Sequence, residues 1–359
     1  MKGHAERLVK AIASVYSRVG RPVRLMEVCG THTVAIFRHG IRGLLPEGIS
    51  LLSGPGCPVC VTSTSDIDRA VALARTPGAA LATFGDMMRV PGGGGSLYEA
   101  KAEGADVRVV YSPLDALRMA ASEKDRKVVF FGAGFETTTP LVAATLAEAD
   151  RQGVGNFYLF PVHKLVPPAL RALLDSPEVR LDGLILPGHV SAIIGVGPYG
   201  FIGRQYGVPS VITGFGAEDI LEGILMLLEQ IRSGRPGVEV QYARAVREEG
   251  NPRALKLMEE YFVPADQNWR GVGVIPRSGL VLREKYLGRD FRQVADPRVA
   301  EAPEPRGCSC GEVLRGLKVP TECPLFGRRC TPERPVGACM VSAEGSCAAY
   351  YRYGGGAGG

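Results

Sequence analysis

Leu8, Ile12, Val15, Tyr16 and Val19 recur at helical spacing and stop at Gly20 and Pro22, which predicts an N-terminal helix. Short apolar runs then alternate with helix-like segments. Runs at about 23–28, 49–52, 79–84 and 107–111 form one set of four strands. Runs at about 127–131, 156–160, 182–186 and 209–213 form a second. Ser96 with Glu99 makes a capping box, Ser112-Pro113 puts proline at a first helical position, and Glu218 to Ile231 is amphipathic over its length. Such alternation builds parallel sheets covered by helices on both faces. The expected fold is therefore α/β, with two similar parallel-sheet sandwich domains and a smaller Cys-rich domain. The boundaries read as an N-terminal helix over 1–22 packing on the C-terminal domain, α/β domains over 23–122 and 123–233, and the C-terminal domain over 234–359. The two halves share pattern, not sequence.

After the linker-like Ser233 to Gly237 the texture changes. Val238 to Val246 reads as a strand, Asn251-Pro252 opens a helix through Tyr261, and Trp269 to Leu282 is β-like. From Pro303 onward Pro, Gly and Cys dominate, and a segment of that kind needs a staple, here a metal.

Composition narrows the class. The chain has 359 residues, 45% hydrophobic and 22% charged, as in soluble globular proteins. No apolar run approaches a bilayer span and no signal-like start is seen, so the expected location is the cytoplasm, without a membrane role. A net charge of +5 with no basic block gives no reason to invoke nucleic acid. The nine cysteines fall at the two ends: Cys29, Cys57 and Cys60 early, and six from Cys308 to Cys347. In a reducing cytosol such clusters bind metal or do redox chemistry.

Ligands of parallel α/β sheets sit beyond the carboxyl ends of the strands. The loops there carry Cys29-Gly30-Thr31-His32-Thr33, then Gly54 to Cys60, then Gly85-Asp86. Later come Gly134 to Pro140 with Glu136 and Thr137, His163-Lys164, Pro187-Gly188-His189-Val190-Ser191 and Thr213 to Gly216. Three of the five histidines and all three early cysteines lie on this kind of edge.

Cys29, between a strand end and a helix start, is placed to have its thiol pKa lowered. Its alternative is a buried structural thiol. His32 and His189 are candidate ligands, proton carriers or donors, and equally serviceable structural histidines. Glu136 with Thr137 forms a polar cradle or a helix cap. Cys57 and Cys60 suit a disulfide or half a zinc site, with no second Cys-x-x-Cys to complete the latter.

In the tail, gaps of twelve, six and sixteen residues separate Cys310, Cys323, Cys330 and Cys347, with Cys308 and Cys339 spare. Four thiolates suit tetrahedral zinc or a 4Fe–4S cluster, and the lack of close paired knuckles favours iron–sulfur.

These motifs together resemble the HypD family of NiFe-hydrogenase maturation proteins. The resemblance rests on Cys29 to Thr33, Gly54 to Cys60, Gly134 to Thr138 and Pro187 to Ser191. It extends through Cys310-Gly311-Glu312-Val313 and Cys347-Ala348-Ala349-Tyr350-Tyr351. It implies a scaffold with redox function, not a conventional turnover enzyme, on which the Fe(CN)2CO unit is built. The partners it implies are a HypC-type chaperone and a HypE-type cyanide donor. By the same resemblance Cys29 would hold the iron, and His32, Thr31 and Thr33 would shape that site. Cys57 and Cys60 would be a redox dithiol. Cys310, Cys323, Cys330 and Cys347 would ligate a 4Fe–4S cluster, with Cys339 as an alternative ligand. Glu136, Thr137 and His189 would line the cleft. The competing enzymatic reading is an iron–sulfur-dependent disulfide reductase using Cys57 and Cys60.

Overall fold

A computed structural model describes residues 2–297, 299 and 302–354. Its strands are β1 (Val23–Glu27), β2 (Ile49–Ser53), β3 (Ala79–Thr83), β4 (Val107–Val109), β5 (Lys127–Gly132) and β6 (Phe157–Pro161). They continue with β7 (Gly183–Pro187), β8 (Ser210–Thr213), β9 (Val238–Val240), β10 (Phe262–Trp269) and β11 (Gly273–Leu282). All eight strands expected before residue 214 are present, and both helix starts hold: Ser96 with Glu99 and Ser112 with Asp115 form capping boxes.

The strands sort into sheets differently from the expected boundaries. One parallel sheet has the order β2-β1-β7-β8-β9 and the other β4-β3-β5-β6. The chain opens the first sheet, leaves after β2 to build the whole second sheet, and returns with β7. No cut at 122/123 separates the two units. A β-α-β pattern reads the same whichever sheet the next strand joins, so periodicity could not reveal this exchange.

Each sheet is buried on both faces, as parallel sheets are. Along β5, Val129 and Phe131 enter the central core between the sheets, while Val128 and Phe130 enter the outer core. Val23 and Leu25 of β1 face the other outer core.

Two further placements differ from expectation. The N-terminal helix Lys2–Val19 packs Leu8, Ile12 and Val15 against Ile220, Ile224 and Leu227 of the helix Ala217–Ser233, not on the C-terminal region. Its apolar stripe specifies that some face is buried, not which one. β9 extends the first sheet beside β8, and the antiparallel hairpin β10–β11 is tied to the second sheet through the bridge of Lys164 with Gly279. Neither belongs to a separate Cys-rich unit.

Candidate functional site: a thiol-lined junction

The exchange of strands gathers the early motifs. The loops after β1, β2, β7 and β8 all belong to one sheet, so Cys29, Cys57, Cys60, His189 and Phe215 share one edge. Glu136 follows β5 of the other sheet and faces this edge across the central core.

Cys29 is the N-cap residue of the helix Gly30–Arg38, and the amides of His32 and Thr31 point at its sulfur. The expected lowering of its pKa does not occur. Burial pushes the thiol up to about 12, and the carboxylates of Glu27 and Glu344 add to the rise. The helix amides oppose this without overcoming it. A buried thiol beside two carboxylates is a poor free nucleophile but a good ligand for a cation.

Glu27 was not singled out from the sequence. Its Oε2 accepts the Cys29 backbone N–H at 3.0 Å, and its Oε1 accepts the Thr33 hydroxyl at 2.5 Å. Burial raises its pKa to about 7. The signal that could have found it is a carboxylate at the buried carboxyl end of a parallel strand, two residues before Cys29. Glu344, also missed, accepts the Thr31 hydroxyl at 2.8 Å, and Gly30 gives it room, since a Cβ there would lie 2.6 Å from Glu344.

His32 is fully buried. Its Nε2 lies 2.9 Å from both the Gly214 carbonyl oxygen and Thr213 Oγ1. A carbonyl only accepts, so Nε2 carries the proton and the Nδ1 lone pair has no partner among the described residues. Burial lowers the His32 pKa to about 4. Phe215 stacks on His32 at 4.5 Å and on the exposed His189 at 4.0 Å, joining the two histidines in one column. The His189 pKa is also lowered, mainly by desolvation.

Glu136 is buried and does cap a helix, but a neighbouring one. Its Oε1 accepts the Val166 N–H at 2.9 Å, at the start of the helix Val166–Asp175. Its Oε2 has no partner among the described residues, and burial raises its pKa to about 7. Tyr199, buried and 3.4 Å from Ser191 Oγ, feels both Glu136 and Cys29. Thr137 is exposed and shares none of these contacts.

The Gly54–Cys60 loop packs directly on the Cys29 loop. Gly30 N–H donates to the Gly56 carbonyl at 3.0 Å, and any Cβ on Gly56 would overlap the Cys29 backbone nitrogen. Cys57 then caps the short helix Pro58–Val61, with Pro58 at its first position, and Cys60 is wholly buried. The helix Pro58–Val61 packs on the short turn Ala338–Met340, which places the Cys60 thiol near Cys339 as well as near Cys57. Cys339 contacts Cys310, Cys347 and Cys60, and Cys308 contacts Cys310. Cys330 Sγ accepts the Val336 N–H at 3.3 Å, while Cys323 Sγ lies 3.8 Å from the Gly307 carbonyl.

The expected ligand set is thus split: Cys310 and Cys347 lie together beside Cys339, and Cys323 stands apart from that contact chain. Among the described residues no three His, Cys, Asp or Glu side chains form a ready metal site. The donor chemistry nonetheless fits a thiolate-bound cluster. At Gly337 a Cβ would lie 2.5 Å from Cys310 Sγ and 2.6 Å from Cys308 Sγ, so a larger residue there would push these two thiols aside. Backbone there is kept clear of sulfur.

The fold and site define an α/β protein of two parallel sheets in which early thiols meet a Cys-rich C-terminal segment. The model of the HypD family, described as the hydrogenase formation hypA family, matches residues 3–354. The hydrogenase maturation factor HypD of Rhodobacter capsulatus is 48% identical over 361 residues, covering 98% of this chain and 96% of that protein. HypD of Escherichia coli K12 is 48% identical over 334 residues, covering 93% and 90%. A putative hydrogenase expression/formation protein of Methanocaldococcus jannaschii is 46% identical over 331 residues, covering 92% of each. The chain belongs to the HypD family and is a hydrogenase maturation factor. No helix among the described residues is long and apolar enough to cross a membrane.

Proposed function

We propose that the chain is a redox scaffold on which the Fe(CN)2CO unit is assembled at Cys29. The iron would be shared with a thiolate of a HypC-type chaperone, and cyanide would arrive from a HypE-type donor. The observation that carries this reading is the pair of contacts made by one loop: Gly56 on the Cys29 backbone, and Cys60 on Cys339.

Low-spin iron carrying diatomic ligands is the cargo, and soft thiolates suit it. Cys29 supplies one, half-buried and backed by two helix amides. Glu27 holds the Cys29 backbone and Glu344 holds Thr31, so the thiol is presented from a fixed turn. His189, exposed and neutral at pH 7, offers an N–H donor to a bound cyanide nitrogen.

Cys57 and Cys60 form the dithiol beside the iron site. Oxidation to their disulfide would pass two electrons to the iron unit under assembly at Cys29 and release two protons to solvent. Exchange through Cys60 and Cys339 returns them to thiols while Cys339 and Cys310 become the disulfide. With Cys339 and Cys310 so engaged, Cys308, Cys323, Cys330 and Cys347 remain as four thiolates to hold a 4Fe–4S cluster. This set differs from the sequence-based one by Cys308 in place of Cys310. When bound, the cluster supplies electrons one at a time. An external protein disulfide is a poorer substrate for this dithiol, because both thiols are buried.

The test is infrared spectroscopy of the anaerobically purified complex with its chaperone. Cyanide and carbonyl stretching bands are expected in the wild-type complex and absent with Cys29→Ala. Bands of wild-type intensity in that variant would overturn the reading.

A further inference from the structure

Two depressions outside the thiol site join into one groove. The first, of about 220 Å³, is walled by the helix Val166–Asp175, the β10–β11 hairpin, Pro55 and Leu314. The second, of about 460 Å³, continues along the same helix to Phe201. They share Ala172, Ile275 and Pro276. At the hairpin tip Val272 and Val274 are 36% and 67% exposed, unusual for valines in sequence next to a fully buried tryptophan, Trp269.

The rim has a defined charge. Arg315 is neutralised by Glu178 at 3.0 Å, and Asp175 is engaged by the Tyr206 hydroxyl at 2.5 Å. Arg171 stacks on Phe201 at 4.2 Å and donates to Gln205, and neither it nor Arg277 has a carboxylate partner among the described residues. Arg277 alone among the described non-glycine residues has a positive φ, 51°, held by its N–H donating to Asp266 at 2.9 Å. Such backbone conformations are disfavoured for residues with a side chain and persist where the surrounding structure holds them.

We infer that this groove docks an extended apolar segment of a partner protein, with an acidic side chain of that segment pairing with Arg171 and Arg277. Two depressions in line accept successive apolar side chains of an extended peptide, and the two unpaired guanidinium groups set its direction. The groove ends on Pro55 and Leu314, which adjoin the Cys57 loop and the helix Cys310–Leu314. Only the interest of that location rests on the relay proposed above; binding does not need the thiols.

The probe is a fluorescein-labelled leucine–proline peptide ending in two glutamates, compared with its lysine-ended counterpart, on the full-length protein. The glutamate-ended peptide is expected to bind saturably and at least tenfold tighter. Val274→Asp should abolish binding. Arg277→Gly should weaken it about tenfold without lowering thermal stability, since glycine accepts the positive φ. Cys60→Ser, which removes the relay, should bind as the wild type does, so failure of either reading is separable from the other. Equal binding of the two peptides, or full binding by Val274→Asp, would overturn the inference. So would dimerisation of the free protein through this face, because the groove would then belong to a second copy.

Discussion

Cys60 lies beside Cys339, because the helix Pro58–Val61 packs on the turn Ala338–Met340, although the two residues stand near opposite ends of the chain. One is fixed by a proline-started turn after β2, the other by the short turn Ala338–Met340. Their meeting makes one chemical unit of two cysteine groups that look unrelated in sequence.

If Cys339 exchanges with Cys60 and is not a cluster ligand, Cys339→Ser should keep wild-type iron and acid-labile sulfide after anaerobic purification. Cys323→Ser and Cys308→Ser should each lose most of both. Loss of iron in Cys339→Ser, with retention in Cys308→Ser, would restore the ligand set expected from sequence.

Gly56 is where the two early loops interlock. Gly56→Ala would force the Cys29 backbone aside, at a cost of about 1–3 kcal/mol in a packed interior. Urea unfolding should show that loss, and the variant complex should carry weaker cyanide bands. A variant as stable as wild type would mean that the loops do not meet this closely.

Glu136 makes stability depend on pH in a stated direction. Its pKa rises from 4.5 to about 7 on folding because of burial. Between those values the folded chain holds a proton that the unfolded chain has released, so stability falls as pH rises through the window. The contribution is fully present below pH 4.5 and spent above pH 7. At about 1.4 kcal/mol per pKa unit it amounts to roughly 3–4 kcal/mol at most. Glu27 shifts the same way, so the measurement is the difference between wild type and Glu136→Gln. Parallel curves of urea midpoint against pH would refute this.

Lys164 is 1% exposed by its side chain, lies 3.7 Å from Asp66, and donates to the Asn268 carbonyl at 2.8 Å. It ties the helix behind the Cys57 loop to the β10–β11 hairpin. Removing one partner strands a buried charge, so Lys164→Met should cost about 3–5 kcal/mol. Lys164→Met with Asp66→Leu should lose much less than the sum of the single changes. Strict additivity in chemical denaturation would show that the pair does not interact.

Much of this molecule was legible beforehand, for identifiable reasons. Strands buried on both faces stand out as apolar runs, and Ser96, Ser112 and Asn251 announce helix starts because their side chains satisfy free N–H groups. Cys29, His32 and His189 were visible because strand-end loops carry chemistry in this class. Glu27 and Glu344 were not. One reads as an ordinary strand residue, and the other sits in a tail with no periodicity to orient it.

The sequence by itself determined the elements, the parallel α/β class, the family and the two groups of cysteines, because local propensity and spacing are properties of neighbouring residues. Only the tertiary structure decided which sheet each strand joins, that Lys2–Val19 lies on Ala217–Ser233, and that Cys60 meets Cys339. Those are choices among surfaces of similar apolar character, settled by packing across distant parts of the chain. The same packing that buries Cys29 between two carboxylates reversed the pKa its helix-cap position had suggested.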